Sequence, residues 1–235
     1  MDDPYVDIAA LYDAEFAGAD ADIAGYSRRG VAGALLVLGC GTGRVCRGLE
    51  ATRPVTGLDR SAAMLARTFG TATYVLGDMT NFRLGAFAEV IAPNAAFAFL
   101  HGRDQQFECL RAVRGALSEG APLTIDLPMP DFSLLGTAHS REAPAWEGLV
   151  DGRKVQRTRE VFRRPIEGRL DLIDRFYSEG ERIGTSRLPL RLIFPREIEW
   201  LLESTGFYAD ALWGNHREEP LREGCDRLLV RAIAM

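Results

Sequence analysis

The chain has 235 residues, 47% of them hydrophobic, and a net charge of −5 at pH 7. This composition can bury the core of one domain, or of one domain with an insertion, and it gives no electrostatic reason to expect nucleic acid as a partner. No apolar run approaches the ~20 residues needed to cross a membrane, and the acidic start lacks the basic and apolar regions of a signal peptide.

The first 30 residues are predicted to form a helical segment. Val6–Asp13 has a helical pattern, and alanine-rich, acidic sequence continues to Gly25. Residues 26–29 are expected to lead into the first strand. We expect residues 1–30 to act as a helical lid on the domain that follows.

Residues 31–127 alternate between short apolar runs and helical patterns, which is typical of a parallel sheet covered by helices on both faces. The expected strands are Leu35–Leu38, Val55–Leu58, Thr73–Leu76, Val90–Ala92 and Leu123–Leu127. The expected helices between them are Gly43–Glu50, Ser61–Phe69 and Asp104–Leu117. Because ligands of such sheets bind beyond the carboxyl ends of the strands, we expect the functional site at that edge.

The alternation stops after Pro130, and the next segment reads as antiparallel strands joined by glycine turns. The expected strands are Lys154–Phe162, Leu170–Tyr177 and Ile183–Phe194. This segment is rich in arginine and in acidic residues, so it is either an ion-paired, solvated sheet or a surface that binds an anion or a partner.

A helix that opens at Pro195 and two strands, Phe207–Leu212 and Arg227–Ile233, are expected to close the chain. The predicted fold is α/β, doubly wound and Rossmann-like, with a mostly parallel seven-stranded sheet and an antiparallel β insertion after strand five. The predicted domains are a core of residues 31–130 and 195–235 and an inserted lid or substrate segment of residues 131–194. The lid's strand edges also suggest a homodimer.

A glycine-rich turn follows the first predicted strand. The run Leu35–Leu38 enters Gly39-Cys40-Gly41-Thr42-Gly43, and a helical pattern begins directly after it. Glycines allow tight turns and leave no Cβ between the backbone and a ligand, although a plain strand–helix turn is the alternative interpretation. Arg44 stands where a dinucleotide-binding fold would have a third glycine or alanine, which disfavours an NAD-linked oxidoreductase.

Two acidic residues follow the second and third predicted strands. Asp59 ends the run Val55-Thr56-Gly57-Leu58-Asp59, where a carboxylate can accept hydrogen bonds from both hydroxyls of a ribose. Asp78 follows Gly77, where it can accept a hydrogen bond from the exocyclic amine of an adenine. The backbone N–H of Met79 can donate a hydrogen bond to a ring nitrogen of the same base. Either acid alone could instead cap a turn or a helix. The glycine turn, Asp59 and Asp78 are all expected at one edge of the sheet.

The four cysteines and three histidines are scattered, without a C-x-x-C pair. This distribution is typical of reduced thiols in the cytoplasm and argues against a zinc site. We therefore expect a cytoplasmic protein with no bound metal, in contact with neither nucleic acid nor a membrane.

The motifs around the glycine turn, Asp59 and Asp78 resemble those of the class I S-adenosylmethionine-dependent methyltransferases, over about residues 31–130. The resemblance implies S-adenosylmethionine as the cofactor, with its methionine end on the glycine turn, its ribose on Asp59 and its adenine beside Arg60, Asp78 and Met79. The cofactor-binding residues expected on this basis are Gly39, Cys40, Gly41, Gly43, Asp59, Arg60, Asp78, Met79 and Pro93.

The element order is similar to that of a narrower branch, the amino-sugar N,N-dimethyltransferases of macrolide tailoring. In that branch an aromatic residue near the N-terminus and a histidine after the fourth strand face the methyl acceptor, and the matching positions are Tyr12 and His101. The resemblance implies transfer of a methyl group to oxygen or nitrogen of a small molecule, as in natural-product tailoring. His101 would act as a base or orient the acceptor, or it could cap the helix near Asp104; Tyr12 could instead be a packed helical residue.

One position departs from the family pattern. Val37 stands where the family usually has an acid that helps to hold the methionine amino group. The alternative function is therefore a protein that binds S-adenosylmethionine or S-adenosylhomocysteine without transferring a methyl group.

Overall fold

The structure is a computed structural model that describes residues 3–16, 20–131 and 136–235, and these residues form eleven strands in two sheets. The strands, in chain order, are Leu35–Leu38 (β1), Val55–Asp59 (β2), Thr73–Leu76 (β3), Glu89–Ala92 (β4), Pro122–Pro128 (β5), His139–Val150 (β6), Arg153–Arg164 (β7), Arg169–Ser178 (β8), Glu181–Arg191 (β9), Phe207–Trp213 (β10) and Arg227–Ala234 (β11). The first sheet has seven strands, in the order β10-β11-β5-β4-β1-β2-β3, and the second has four, in the order β6-β7-β8-β9.

The seven-stranded sheet is parallel except for β11, which runs antiparallel to both of its neighbours. Strand β1, an inner strand of this sheet, is apolar throughout and buried on both faces, as expected for a strand between two helical layers. It pairs in parallel with β2 and β4, so the carboxyl ends of these strands meet at one edge. The predicted Rossmann-like α/β fold with an antiparallel insertion is confirmed.

Six α-helices are described. They are Ala9–Glu15 (α1), Ala21–Arg29 (α2), Arg44–Leu49 (α3), Ala62–Leu65 (α4), Arg103–Ala116 (α5) and Pro195–Glu203 (α6), with a short 3-10 helix at Ala96–Phe99. In α5 the apolar face buries Leu110 and Val113 in the main core, as the spacing predicts. No helix among the described residues is both long and apolar enough to span a membrane.

Helix α2 corrects one prediction, because residues 26–29 are its last turn rather than a lead into β1. The helix contains Gly25, a poor helix former that obscured the pattern. A Cβ at Gly25 would come within 2.9 Å of the Cβ of His216, so glycine allows the helix to approach the segment after β10. Tyr26, 1% exposed, then reaches the buried carboxylate of Asp126 with its hydroxyl, at 2.9 Å.

The inserted sheet has four strands, not the three predicted. The missed strand, β6, contains Pro144 and Gly148 and is mostly exposed, so it lacks the alternation of apolar and polar residues that marks a half-buried strand. It pairs with β7 through two irregular registers, between Ser140 and Ala143 and between Pro144 and Trp146. Many arginines on the exposed side of this sheet are ion-paired, as in the pairs of Arg175 with Glu142 and Glu160.

The inner face of the inserted sheet packs on helix α1. Ile8 and Leu11 form a small apolar cluster with Val155 and Phe176 from β7 and β8. On the other side, the carbonyl of Pro189 in β9 lies 2.8 Å from Nε2 of His101, which follows the 3-10 helix. These contacts place the inserted sheet beside the carboxyl edge of the parallel sheet. Its role as a lid remains a prediction.

Val37 is fully buried inside the sheet. It belongs to an apolar cluster with Tyr26, Val45 and Ile91, formed where α2 and α3 cover this face of the sheet. The space around position 37 is therefore filled by apolar side chains, and a carboxylate there would have to displace or join them.

Candidate active site

Two adjoining cavities lie beyond the carboxyl ends of the parallel strands. We call the first the loop cavity, because residues 39–42 of the glycine loop form one wall, and the second the sheet cavity, because the inserted sheet forms its outer wall. The two cavities meet at Tyr5, Tyr12, Asn94 and Phe99, which line both. The predicted site residues that line the loop cavity are Tyr12, Gly39, Cys40, Gly41, Asp59, Arg60, Met79 and Pro93.

The glycine loop requires glycine at two positions for different reasons. Gly39 has φ of 62°, and a Cβ on it would lie 2.6 Å from the Cβ of Ala96, so a side chain would collide with the neighbouring loop. Gly43 has φ of 81° as the N-cap of α3, and a Cβ there would meet the ring of Tyr74. Gly43 therefore shapes the loop, whereas Gly39 and Gly41 form its wall.

Asp59 joins the end of β2 to the glycine loop. Its Oδ2 accepts a hydrogen bond from the backbone N–H of Gly41 at 2.7 Å, and its Oδ1 accepts one from the N–H of Ser61 at 2.8 Å. Burial raises the pKa of this carboxyl, and the N–H groups of Ser61 and Gly41 offset only part of that effect. The carboxylate is thus held in place at the strand end where the sequence predicts a ribose.

The N-terminal segment contributes a second carboxylate to the loop cavity, that of Asp3, which no sequence pattern predicts. Asp3 accepts a hydrogen bond from the hydroxyl of Ser61 at 2.6 Å and another from the N–H of Tyr5 at 3.0 Å. The segment thereby crosses the mouth of the cavity next to Asp59. No local sequence pattern predicts this contact, because Asp3 and Ser61 are 58 positions apart in the chain.

Asp78 lies in a small pocket that adjoins the loop cavity and also includes Arg60, Met79 and Gln105. Its Oδ1 accepts hydrogen bonds from the N–H and the hydroxyl of Thr80, each at 2.8 Å. Asp78 therefore caps a turn, which is the alternative role that the sequence allows. The pocket also leaves Asp78 next to the residues expected around an adenine, so that role stays a prediction.

The two predicted acceptor-facing residues are placed differently. Tyr12 lies where the cavities meet, and burial raises the pKa of its phenol well above the ordinary value, so the hydroxyl stays protonated at neutral pH. His101 contacts the carbonyl of Pro189 and is not among the lining residues of either cavity. Tyr12 thus lies at the junction of the two cavities and His101 outside the residues that line them, and the acceptor-facing roles of both stay predictions.

The sheet cavity contains alternating positive and negative charges. Nη1 of Arg157 lies 2.6 Å from Oε1 of Glu15, and Arg159 donates two hydrogen bonds to Asp174, at 2.6 and 2.7 Å. Burial raises the pKa of Glu15, an effect that Arg157 and Arg159 reduce in part. Because side chains alternate between the two faces of a strand, the sequence alone predicts that Arg157 and Arg159 share one face of β7. It does not predict that this face points into the cavity, since that depends on the contact with α1.

Asp126 supports the loop that follows β4. It is fully buried, and it accepts hydrogen bonds from Nη1 of Arg227 at 2.6 Å and from the N–H of Asn94 at 3.3 Å. Its backbone carbonyl accepts from the N–H of Ala95 at 3.0 Å. Asn94 and Ala95 both have positive φ, 47° and 64°, a conformation that costs energy in residues other than glycine. Asp126 therefore holds a strained turn that presents Phe99 to both cavities.

Comparison with known proteins identifies the chemistry of this fold. Residues 36–125 match a family model described as a methyltransferase domain. No curated protein shows significant similarity to the whole sequence.

Solved structures with the same fold include three methyltransferases. The CcbJ methyltransferase from Streptomyces caelestis has a TM-score of 0.81 and 21% identity, with 99% of each chain covered. CalS10 with bound SAM, an amino pentose methyltransferase from Micromonospora echinaspora, has a TM-score of 0.70 and 20% identity, with 97% of this chain and 94% of that chain covered. KedS8, a sugar N-methyltransferase from Streptoalloteichus sp., has a TM-score of 0.69 and 23% identity, with 94% and 87% covered.

The matched residues 36–125 contain the glycine loop, the carboxylate at the end of β2 and the loop after β3. These are the three features that the resemblance rests on, and the fold around them is the one expected. Residues 36–125 are therefore a methyltransferase domain within a chain of Rossmann-like fold, and its cofactor is S-adenosylmethionine.

Proposed function

We propose that the enzyme methylates an oxygen or nitrogen atom of a small polar molecule bound in the sheet cavity, as part of natural-product tailoring. The observation that supports this most directly is the opening between the two cavities at Tyr5, Tyr12, Asn94 and Phe99. A molecule in the sheet cavity would adjoin the loop cavity at these residues. The amino pentose and sugar substrates named for CalS10 and KedS8 are of suitable size and polarity.

The residues of the loop cavity fit the cofactor. Gly39 and Gly41 leave the backbone open along one wall, and Asp59 is fixed by two N–H groups at the position for ribose hydroxyls. Arg60, Asp78 and Met79 would contact the adenine in the adjoining pocket. When bound, S-adenosylmethionine supplies an electrophilic methyl group, so the protein's own task is to place the acceptor and exclude water.

Glu15 is the residue that we propose takes a proton from the acceptor. It lies one helical turn after Tyr12 on α1, and both line the sheet cavity. Tyr12 is held in its protonated form, which suits it to donate a hydrogen bond rather than to accept a proton. A proton that passes from the acceptor's N–H or O–H to a carboxylate oxygen of Glu15 leaves a lone pair on the acceptor.

Cofactor binding is tested by replacing Asp59. Asp59→Ala should weaken binding of S-adenosylhomocysteine by about 1.5–3 kcal/mol, the scale for loss of a charged hydrogen-bonding partner. Isothermal titration calorimetry of the wild type and the variant measures this, with Asp104→Ala as a control because Asp104 is exposed and lines neither cavity. An unchanged affinity in Asp59→Ala would overturn the ribose assignment.

Methyl transfer is tested with a panel of amino sugars and hydroxylated sugars, with S-adenosylhomocysteine release as the readout. Glu15→Gln should lower turnover of the best acceptor about 100-fold and leave S-adenosylhomocysteine affinity within twofold. Glu147→Gln, at an exposed site on β6, is the matched control. Cofactor binding without turnover of any compound in the panel would favour the alternative of a binding protein that transfers no methyl group.

The remaining predictions belong to the same proposal. We propose a cytoplasmic homodimer that acts on no nucleic acid. Static light scattering of the purified chain measures the mass in solution, and a mass of one chain would exclude the dimer.

A further inference from the structure

Three aromatic rings surround the junction between the two cavities. The ring centroids of Tyr5 and Tyr12 are 5.9 Å apart with planes at 88°, and those of Tyr5 and Phe99 are 6.2 Å apart with planes at 57°. All three line both cavities. We call this group the aromatic collar.

The collar is assembled from three separate parts of the fold. Tyr5 precedes α1, Tyr12 lies within it, and Phe99 ends the 3-10 helix after the strained turn at 94–95. All three side chains remain partly exposed although they lie in the interior cleft, whereas a ring that serves the core, such as Phe97, is 1% exposed. The collar residues therefore keep surface available to whatever occupies the junction.

The charges nearest the collar favour a cation. The carboxylates of Asp3 and Asp59 lie close enough to Tyr5 to contribute to its raised pKa, after the larger effect of burial. Of the arginines that line the two cavities, Arg44 is paired with Asp22, Arg157 with Glu15, Arg159 with Asp174 and Arg227 with Asp126, and Arg60 lies at the side of the loop cavity that adjoins the small pocket around Asp78. Aromatic faces attract cations, most strongly where water is excluded, so rings and carboxylates act in the same direction here.

We propose that the aromatic collar recognises the positive charge of the sulfonium and so makes the enzyme bind S-adenosylmethionine in preference to S-adenosylhomocysteine, whose sulfur is uncharged. The inference rests on the proposed position of the cofactor in the loop cavity. It assigns Tyr5 and Phe99, beyond Tyr12, as residues that distinguish the substrate form of the cofactor from its product form. Loss of the charge on transfer of the methyl group removes this attraction, which favours release of the product.

The test compares the affinities of the two cofactor forms, without any acceptor. Calorimetry gives the Kd of S-adenosylmethionine and of S-adenosylhomocysteine for the wild type, Tyr5→Leu and Phe99→Leu, and for the ring-preserving controls Tyr5→Phe and Phe99→Tyr. The Kd of S-adenosylhomocysteine divided by the Kd of S-adenosylmethionine should be about 5- to 30-fold lower in each leucine variant than in the wild type, because one desolvated cation–ring contact is lost. The ring-preserving variants should keep the ratio within twofold of the wild type.

Each other outcome has a defined meaning. If the leucine variants lose affinity for both ligands equally, the rings only pack against the cofactor and the inference is wrong. An unchanged ratio in folded leucine variants, verified by circular dichroism, also overturns it while leaving the proposed function intact. Failure of the wild type to bind either ligand would instead refute the cofactor site itself. Should Tyr5→Leu not fold, the comparison of Phe99→Leu with Phe99→Tyr decides the question.

Discussion

Replacing Asp126 with alanine should lower the free energy of unfolding by about 3–5 kcal/mol, the range for removing one member of a buried ion pair. The carboxylate is fully buried and accepts hydrogen bonds from Arg227, Tyr26 and the backbone of Asn94. Its removal leaves the buried hydroxyl of Tyr26 without its partner and takes the paired carboxylate away from the partly exposed guanidinium of Arg227. Urea unfolding at pH 7 measures the change, and Tyr26→Phe, which removes one donor, is the control with an expected cost of about 1 kcal/mol.

The effect of Asp126 should depend on pH. Burial raises the pKa of this carboxyl, but His216, Arg227 and Tyr26 lower it by more, so in the folded protein it lies below the ordinary value of 3.8. A carboxyl with a depressed folded pKa contributes stability above its unfolded pKa and loses that contribution as the pH falls through the folded value. The difference in stability between wild type and Asp126→Ala should therefore shrink below about pH 4. A constant difference down to pH 2 would contradict the assignment of Asp126 as ionised.

Val37→Asp should destabilise the protein by about 2–4 kcal/mol, although it restores the acid that the family usually has. Val37 is completely buried among Tyr26, Val45 and Ile91, and the hydroxyl of Tyr26 already donates its hydrogen bond to Asp126. The carboxyl would be forced to take up a proton or to disrupt the packing of α2 and α3 on the sheet. Chemical unfolding measures the loss.

Val37→Thr is the matched control for shape, because it keeps the branched side chain and replaces one methyl group with a hydroxyl. Its expected cost is about 1–2 kcal/mol. A Val37→Asp variant with wild-type stability and tighter binding of S-adenosylhomocysteine would show instead that the position still serves the cofactor.

The parallel half of the fold was predictable because its signals are local. Strand β1 is a run of four apolar residues next to glycine, and β2, β3, β4 and β5 are likewise short segments rich in apolar residues that alternate with helical patterns. The glycine loop and Asp59 were predictable for the same reason, since each directly follows one of these strands. Strand β6 was missed because its side chains are mostly exposed, so no apolar alternation records its pairing with β7.

The residues that line the sheet cavity, and the N-terminal segment beside the loop cavity, could not be predicted in the same way. Glu15 and Arg157 meet across 142 positions of sequence, and Asp3 reaches Ser61 across 58. Such contacts depend on how α1 and the N-terminal segment pack on two different sheets, and packing of this kind leaves no periodic signal. The prediction for His101 likewise followed its place after β4, whereas its contact with Pro189 depends on where β9 passes.

The inserted sheet is a separate hydrogen-bonded ladder, because its four strands pair with one another and not with the parallel sheet. The loop cavity is lined by residues 3–99, while the outer wall of the sheet cavity comes from residues 157–190. Substitutions at outer-wall positions that do not contact α1 can therefore accumulate without disturbing the groups that line the loop cavity. A single continuous stretch, residues 139–191, is thus the unit that evolution could diversify, or an engineer could exchange between relatives, to change which molecules fit the sheet cavity.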